Sequence, residues 1–156
     1  MPDLNEEAFL QKVQEKLSDK IESVEVLQKN HVVVIVKKES LIEVAETLRD
    51  EYGFIYPSAA GGMDYPDDNR MQMMYYVMNP ETNLQVILKV NVPRDDLVLP
   101  TMTVVWDAMS YHEREAWEMF GFEFEGHDNM IPLLLPPDWK GGHPLRKDFK
   151  GEGITE

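Results

Sequence analysis

Apolar positions recur with two periods along this chain, and the switches between periods divide it into elements. From Glu6 to Leu17, Phe9, Leu10, Val13 and Leu17 fall on one face of a 3.6-residue repeat, which predicts an amphipathic helix. Val24 to Leu27 and His31 to Val36 are rich in β-branched residues, and Lys29-Asn30 between them predicts a hairpin turn with left-handed backbone at Asn30. Ser40 and Glu43 have the spacing of a capping box opening a second helix. Its apolar face is Leu41, Val44, Ala45 and Leu48, and Gly53 stands where a C-terminal cap belongs.

Beyond Gly53 the pattern turns to strands. Phe54-Ile55-Tyr56 precedes a predicted glycine-containing loop from Ala59 to Pro66. Met71 to Met78 and Leu84 to Val92 predict an antiparallel hairpin across Asn79-Pro80-Glu81-Thr82-Asn83. Alternation places Met71 and Met73 on one face and Met74 and Met78 on the other. A strand apolar on both faces is internal, so these methionines read as core rather than as an adaptable ligand cradle. Arg94-Asp95-Asp96 predicts a charged loop, and Pro100 leads into a predicted short strand, Met102 to Trp106. Ser110 with Glu113 suggests another capping box, opening a helix that Gly121 ends. From Phe122 onward glycine and proline are frequent, which predicts extended or turn structure draped over a surface. The expected fold is α+β, a single domain with two helices packed on a mixed or mainly antiparallel sheet of about four to six strands. Residues 1–121 are expected to form the core and 122–156 an extended C-terminal docking segment.

Composition narrows the function. At 156 residues, 43% hydrophobic and 10% aromatic, the chain suits one folded domain with a core of its own. Its formal charge of −14 repels nucleic-acid phosphates and anionic lipid, so neither is an expected partner. With no cysteine, disulfides, thiol nucleophiles and Cys-ligated zinc or iron–sulfur sites are excluded. The N-terminal MPDLNEEAFLQKV lacks the pattern of a signal peptide, and no apolar run approaches the ~20 residues that span a bilayer. A cytoplasmic chain is expected.

Motifs for chemistry are thin. His112-Glu113 opens like a zinc-protease helix, but Ala116 occupies the position of the second histidine, so the pair reads as an exposed helix start. Arg114 and Glu118, four apart, predict a helix-surface ion pair. Asp64, Asp67 and Asp68 lack the spacing of a calcium loop. Neither Gly61-Gly62 nor Gly141-Gly142 has a phosphate-loop or dinucleotide context. No serine lies in a Gly-x-Ser-x-Gly elbow.

The segment from Tyr111 to Asp148 is the most particular. Glu113-Arg114-Glu115, then Glu118-Met119-Phe120-Gly121, Phe124 and Gly126-His127, resembles the signature of the thirty-kilodalton subunit of respiratory complex I, known in bacteria as the C subunit of NADH–quinone oxidoreductase. His143-Pro144-Leu145-Arg146-Lys147-Asp148 resembles that family's C-terminal hallmark, and Asp64-Tyr65-Pro66 with Arg70 its central loop. Asp128 to Pro132 departs from the family pattern, which leans the reading towards an archaeal hydrogenase-type branch. The resemblance implies a subunit without a redox centre in the hydrophilic arm of an energy-converting, ion-translocating complex of the membrane-bound [NiFe] hydrogenase or quinone-oxidoreductase type. It implies docking on a hydrogenase-like large subunit, with iron–sulfur clusters and possible NiFe sites in partner subunits, on the cytoplasmic side of the cell membrane.

Within that reading, Glu113, Arg114, Trp117, Phe120, His127, Trp139, His143, Arg146 and Asp148 are the expected interface. Glu113, Arg114 and Arg146 are expected to tie the helix to the tail through charged hydrogen bonds, with Trp117, Phe120 and Trp139 packed beside them. Prolines 132, 136, 137 and 144 stiffen the tail, which lowers the entropy lost on docking. Two other classes stay open: a free-standing enzyme with His112, Glu113, His127 and Asp64 around a metal, and an adaptor unconnected with electron transfer.

Overall fold

The computed structural model describes residues 5–151. Its elements in chain order are α1 (Glu6–Leu17), β1 (Ile21–Gln28), β2 (His31–Val36), α2 (Leu41–Tyr52), β3 (Tyr56–Tyr65), β4 (Arg70–Asn79), β5 (Leu84–Pro93), β6 (Val98–Pro100), α3 (Met109–Phe120) and β7 (Glu123–Glu125). Five strands form one sheet in the order β1-β2-β5-β4-β3, parallel between β2 and β5 and antiparallel elsewhere. The fold is therefore α+β with a mixed sheet, as the pattern predicted. Three helices contribute to the core rather than two, since Met109, Ala116 and Phe120 of α3 are also buried in it.

Register explains the burial. Met73 pairs with Val90, Tyr75 with Leu88 and Val77 with Val86, and Leu88 and Val86 pair in turn with Val34 and Val32. All of these residues are fully buried on one face of the sheet. Phe9 of α1 packs there against Tyr52 and Phe54 at ring distances of 5.6 and 5.1 Å. The turn residues Asn30 and Asn83 take φ of 64° and 61°, where a short polar side chain tolerates left-handed backbone.

Several expectations are corrected. Ala59 to Asp64 is not a loop but the body of the edge strand β3, because its ladder with β4 runs from Tyr56 to Tyr65. Met102–Val104 is a single 3₁₀ turn, and the strand of that region is Val98–Pro100, paired parallel to β7. Neither predicted capping box forms. Ser40 makes no side-chain cap bond, α3 begins one residue before Ser110, and the Glu113 carboxylate is used elsewhere. The tail leaves the core later than Phe122, since Phe122 and Phe124 are core residues and Glu123–Glu125 is a strand. From Gly126 to Gly151 the chain contains turns and bends but no helix or strand.

Candidate functional site: the last helix and the tail it holds

An α-helix leaves its last four carbonyls without intrahelical donors. In α3 each finds one partner. Trp117 O accepts from Gly121 N at 3.1 Å, and Met119 O from Leu145 N at 3.0 Å. Glu118 O lies 2.9 Å from His143 Nδ1, and Phe120 O accepts from Arg146 Nε at 2.6 Å. Three of the four partners thus come from the tail, and the Arg146 cation sits where the negative end of the helix dipole favours it. Gly121 makes this approach feasible. Its φ is 92°, and a Cβ there would lie 2.6 Å from Arg146 Nη2 and 2.9 Å from His143 Nε2.

The body of α3 grips the tail with two buried charges. Arg114 donates from Nε to Ile131 O and from Nη2 to Pro132 O, both at 2.9 Å. Glu118 accepts from three consecutive amides, Leu133 at 2.6 Å, Leu134 at 2.9 Å and Leu135 at 3.3 Å. The predicted Arg114–Glu118 surface pair is therefore replaced. Both side chains are buried and direct their charge to backbone carbonyls and amides of the tail, where an exposed pair between them would add little.

Glu113 takes a different direction from the one expected. It is fully buried and turned away from the tail, accepting from Thr101 Oγ1 at 2.5 Å and Met102 N at 2.7 Å. It pins the turn between β6 and α3. Burial raises its pKa to about 7, against the opposing pull of the Met102 amide and the Thr101 hydroxyl. The neighbouring Tyr75 hydroxyl is buried without a hydrogen-bond partner, and burial, then Glu113, raises its pKa well above the usual phenol range.

A second anchor joins tail and sheet. Asp64, fully buried at the end of β3, takes a bidentate fork from Arg94 at 2.9 and 3.1 Å and the Lys147 amide at 2.9 Å. Arg94 reaches on to Asp148 at 3.3 Å, and the Arg70 guanidinium lies 3.9 Å from the centre of the Tyr65 ring. His127 bridges back to Ser110, 3.1 Å from its hydroxyl. Trp139 is folded into the tail by its Nε1 bond to Gly142 O at 2.7 Å. Between α3 and the tail lies a cleft of about 370 Å³, lined by Trp117, Pro132, Leu135, Trp139 and His143 among others.

Thus Arg114, His143 and Arg146 converge on the helix–tail seam, Trp117 and Trp139 line its cleft, and Phe120 packs into the core beside Phe122. His127 and Asp148 sit at its two ends, and Glu113 stands apart. Glu118, Asp64 and Arg94 hold the tail in place although the sequence reading, which notes all three, leaves them out of the expected interface. The available signal is a carboxylate four residues after Arg114 on a helix followed by a proline-rich tail. His112, Glu113, His127 and Asp64 do not assemble into a metal site. Among the described residues no group of three or more His, Asp or Glu side chains is placed to hold an ion.

An α+β domain whose last helix clamps an irregular tail is a recognisable class, and comparison with known proteins places it. Residues 34–155 match the family described as respiratory-chain NADH dehydrogenase, 30 Kd subunit, and the chain belongs to that family. The NADH-quinone oxidoreductase C subunit of Moorella thermoacetica is 33% identical over 117 residues, covering 75% of this chain and 78% of that one. The same subunit of Citrifermentans bemidjiense is also 33% identical, covering 80% and 78%. The C/D subunit of Pseudomonas fluorescens is 42% identical over 84 residues, covering 54% of this chain and 14% of its own length. Among solved structures, a chain of the membrane-bound sulfane sulfur reductase, an archaeal respiratory membrane complex, shares the fold with a TM-score of 0.84 at 22% identity, covering 95% and 87%. A fragment of Nqo5 aligns with a TM-score of 0.66 at 25% identity, covering 76% and 96%. No described helix is long and apolar enough to cross a membrane.

Proposed function

We propose that this chain is a non-catalytic structural subunit in the hydrophilic arm of a complex I-related, ion-translocating oxidoreductase, of quinone-reductase or membrane-bound hydrogenase type. It docks on the hydrogenase-like large subunit through the outer side of α3 and the tail. The observation that carries this is a tail held rigidly by polar bonds while its apolar side chains face outward. Leu134 is 61% exposed, and Ile131 and Leu145 are each 51% exposed. Rigid, exposed apolar side chains beside a Trp-lined cleft are the anatomy of an interface awaiting its partner. A relative whose name joins C and D, and of which this chain matches only 14%, supports a large neighbour of that kind. In this reading the electron-carrying iron–sulfur and NiFe centres belong to the partners, and the chain is held at the cytoplasmic side of the membrane through them.

The test is co-purification of the complex through an affinity tag on this chain, alongside thermal melts of the free chain. Leu134→Glu should abolish recovery of the large subunit while leaving the free chain's melting temperature within about a degree, because the side chain is exposed. Arg146→Ala should weaken assembly more than it lowers free-chain stability, which changes by about 1 kcal/mol for loss of one partly exposed hydrogen bond. Undiminished recovery with both variants overturns the docking role.

A further inference from the structure

The sheet has two edges, and they are built differently. β1 carries Glu22 and Glu25, both exposed, the kind of charge that deters pairing with another strand. β3 carries no charge from Tyr56 to Met63. One end of β3 is blunted by Pro57 and by an irregular register at Ser58, whose hydroxyl turns back to Tyr76 O. The other end is closed by Asp64, which is occupied by Arg94 and the Lys147 amide. Between them Ala59 to Met63 forms an open window, with no backbone hydrogen bond outside its ladder with β4 among the described residues. At about 3.4 Å per residue the window is roughly 17 Å long, enough for a short added strand.

Side chains around the window fit the same purpose. Ala59, Gly61 and Met63 pair with Tyr76, Met74 and Gln72, on the face opposite the buried row of Met71, Met73 and Tyr75. Beyond its own chain neighbours, no heavy atom lies within 4 Å of where a Gly61 Cβ would stand, and Met63 is 38% exposed. A large apolar side chain opposite an edge glycine fills such a gap.

We propose that β3 accepts a sixth strand, an extended and uncharged stretch of about five residues from a neighbouring subunit, with an aromatic or large aliphatic side chain over Gly61. The main-chain hydrogen-bonding groups left open at this edge select a strand as the occupant. A second copy of this chain is disfavoured, because each copy carries a formal charge of −14. The proposal rests on the reading of the chain as an assembly subunit, but it uses the main-chain edge of β3, which adjoins the helix–tail region at Gly62 and Asp64, rather than the outward side chains of the tail.

Hydrogen exchange of the purified complex against the free chain tests it. Amides in the Ala59–Met63 window should exchange at least tenfold more slowly in the complex. Met63→Lys, which places a charge on the open edge, should restore fast exchange there while the free chain melts as before. If the tail from Ile131 to Arg146 is protected in the complex but the window is not, the added strand is refuted and the docking role stands. If neither is protected, both are overturned. If the free chain protects the window on self-association, the occupant is a second copy and the proposal fails.

Discussion

In the sheet, Val34, Leu88 and Tyr75 lie side by side on neighbouring strands and are each fully buried. In the tail, Ile131, Leu134 and Leu145 are at least half exposed, yet the backbone around them is bonded residue by residue to Arg114, Glu118 and the end of α3. The first region is held by removing apolar surface from water, which is non-directional and tolerates variation in shape. The second is held by a few directional bonds to buried charges, each of which must keep its geometry. A region held in the second way can be ordered without hiding its apolar side chains. That is what the proposed docking surface requires.

The difference can be broken most forcefully from the core side. Leu88→Ala should cost about 2–5 kcal/mol in denaturant melts, the range for opening a cavity at a fully buried leucine, and tail and sheet should unfold together. Raising the pH is the next largest change. Glu113 has a folded pKa of about 7 against an ordinary 4.5, so between those values the native state holds a proton that the unfolded chain has lost. Its stabilising contribution is complete below pH 4.5 and is lost as pH rises through 7. At about 1.4 kcal/mol per tenfold change in proton affinity, the loss is on the order of 3 kcal/mol. Melts from about pH 5 to 8 should show it, and Glu113→Gln should flatten that slope.

Glu118→Ala acts on the tail. It leaves the amides of Leu133, Leu134 and Leu135 without their acceptor and should cost about 1–3 kcal/mol. Unlike Leu88→Ala, it should speed proteolytic cleavage between Gly126 and Trp139 while hydrogen exchange in β4 and β5 stays slow. Uniform loosening of sheet and tail would show that the two regions are one cooperative unit. The smallest effect is expected at the hydroxyl of Tyr75, which has no partner. Tyr75→Phe should be neutral or raise stability by up to about 1 kcal/mol, because a buried polar group is removed with no bond lost. A clear destabilisation would mean that the hydroxyl has a role in the Glu113 pocket.

Much of the core is readable from periodicity. The β4–β5 hairpin, the first two helices and the αL caps at Gly53 and Gly121 follow from local pattern, because hydrophobic spacing and backbone sterics act within a few residues. β3 escapes such a reading because Ala59-Ala60-Gly61-Gly62 has little strand propensity of its own; its ladder with β4 makes it a strand. The same holds for the candidate site. Its residue types are visible in the chain, including the Glu113-Arg114-Glu115 run and the His143 to Asp148 cluster, and so is the family they resemble.

The sequence alone determined the α+β class, the internal place of β4, the absence of cysteine chemistry and the stretch, Tyr111 to Asp148, that resembles the family's signature. Only the tertiary structure decided what each charge in that stretch does, and that Asp64 of β3 joins it. Glu113 pins a turn, Arg114 and Glu118 hold backbone of the tail rather than each other, and Asp64 joins strand, loop and tail across 83 residues to Lys147. A buried charge must find its partners wherever the fold brings donors and acceptors together. Those positions are set by long-range packing, which local sequence spacing does not encode.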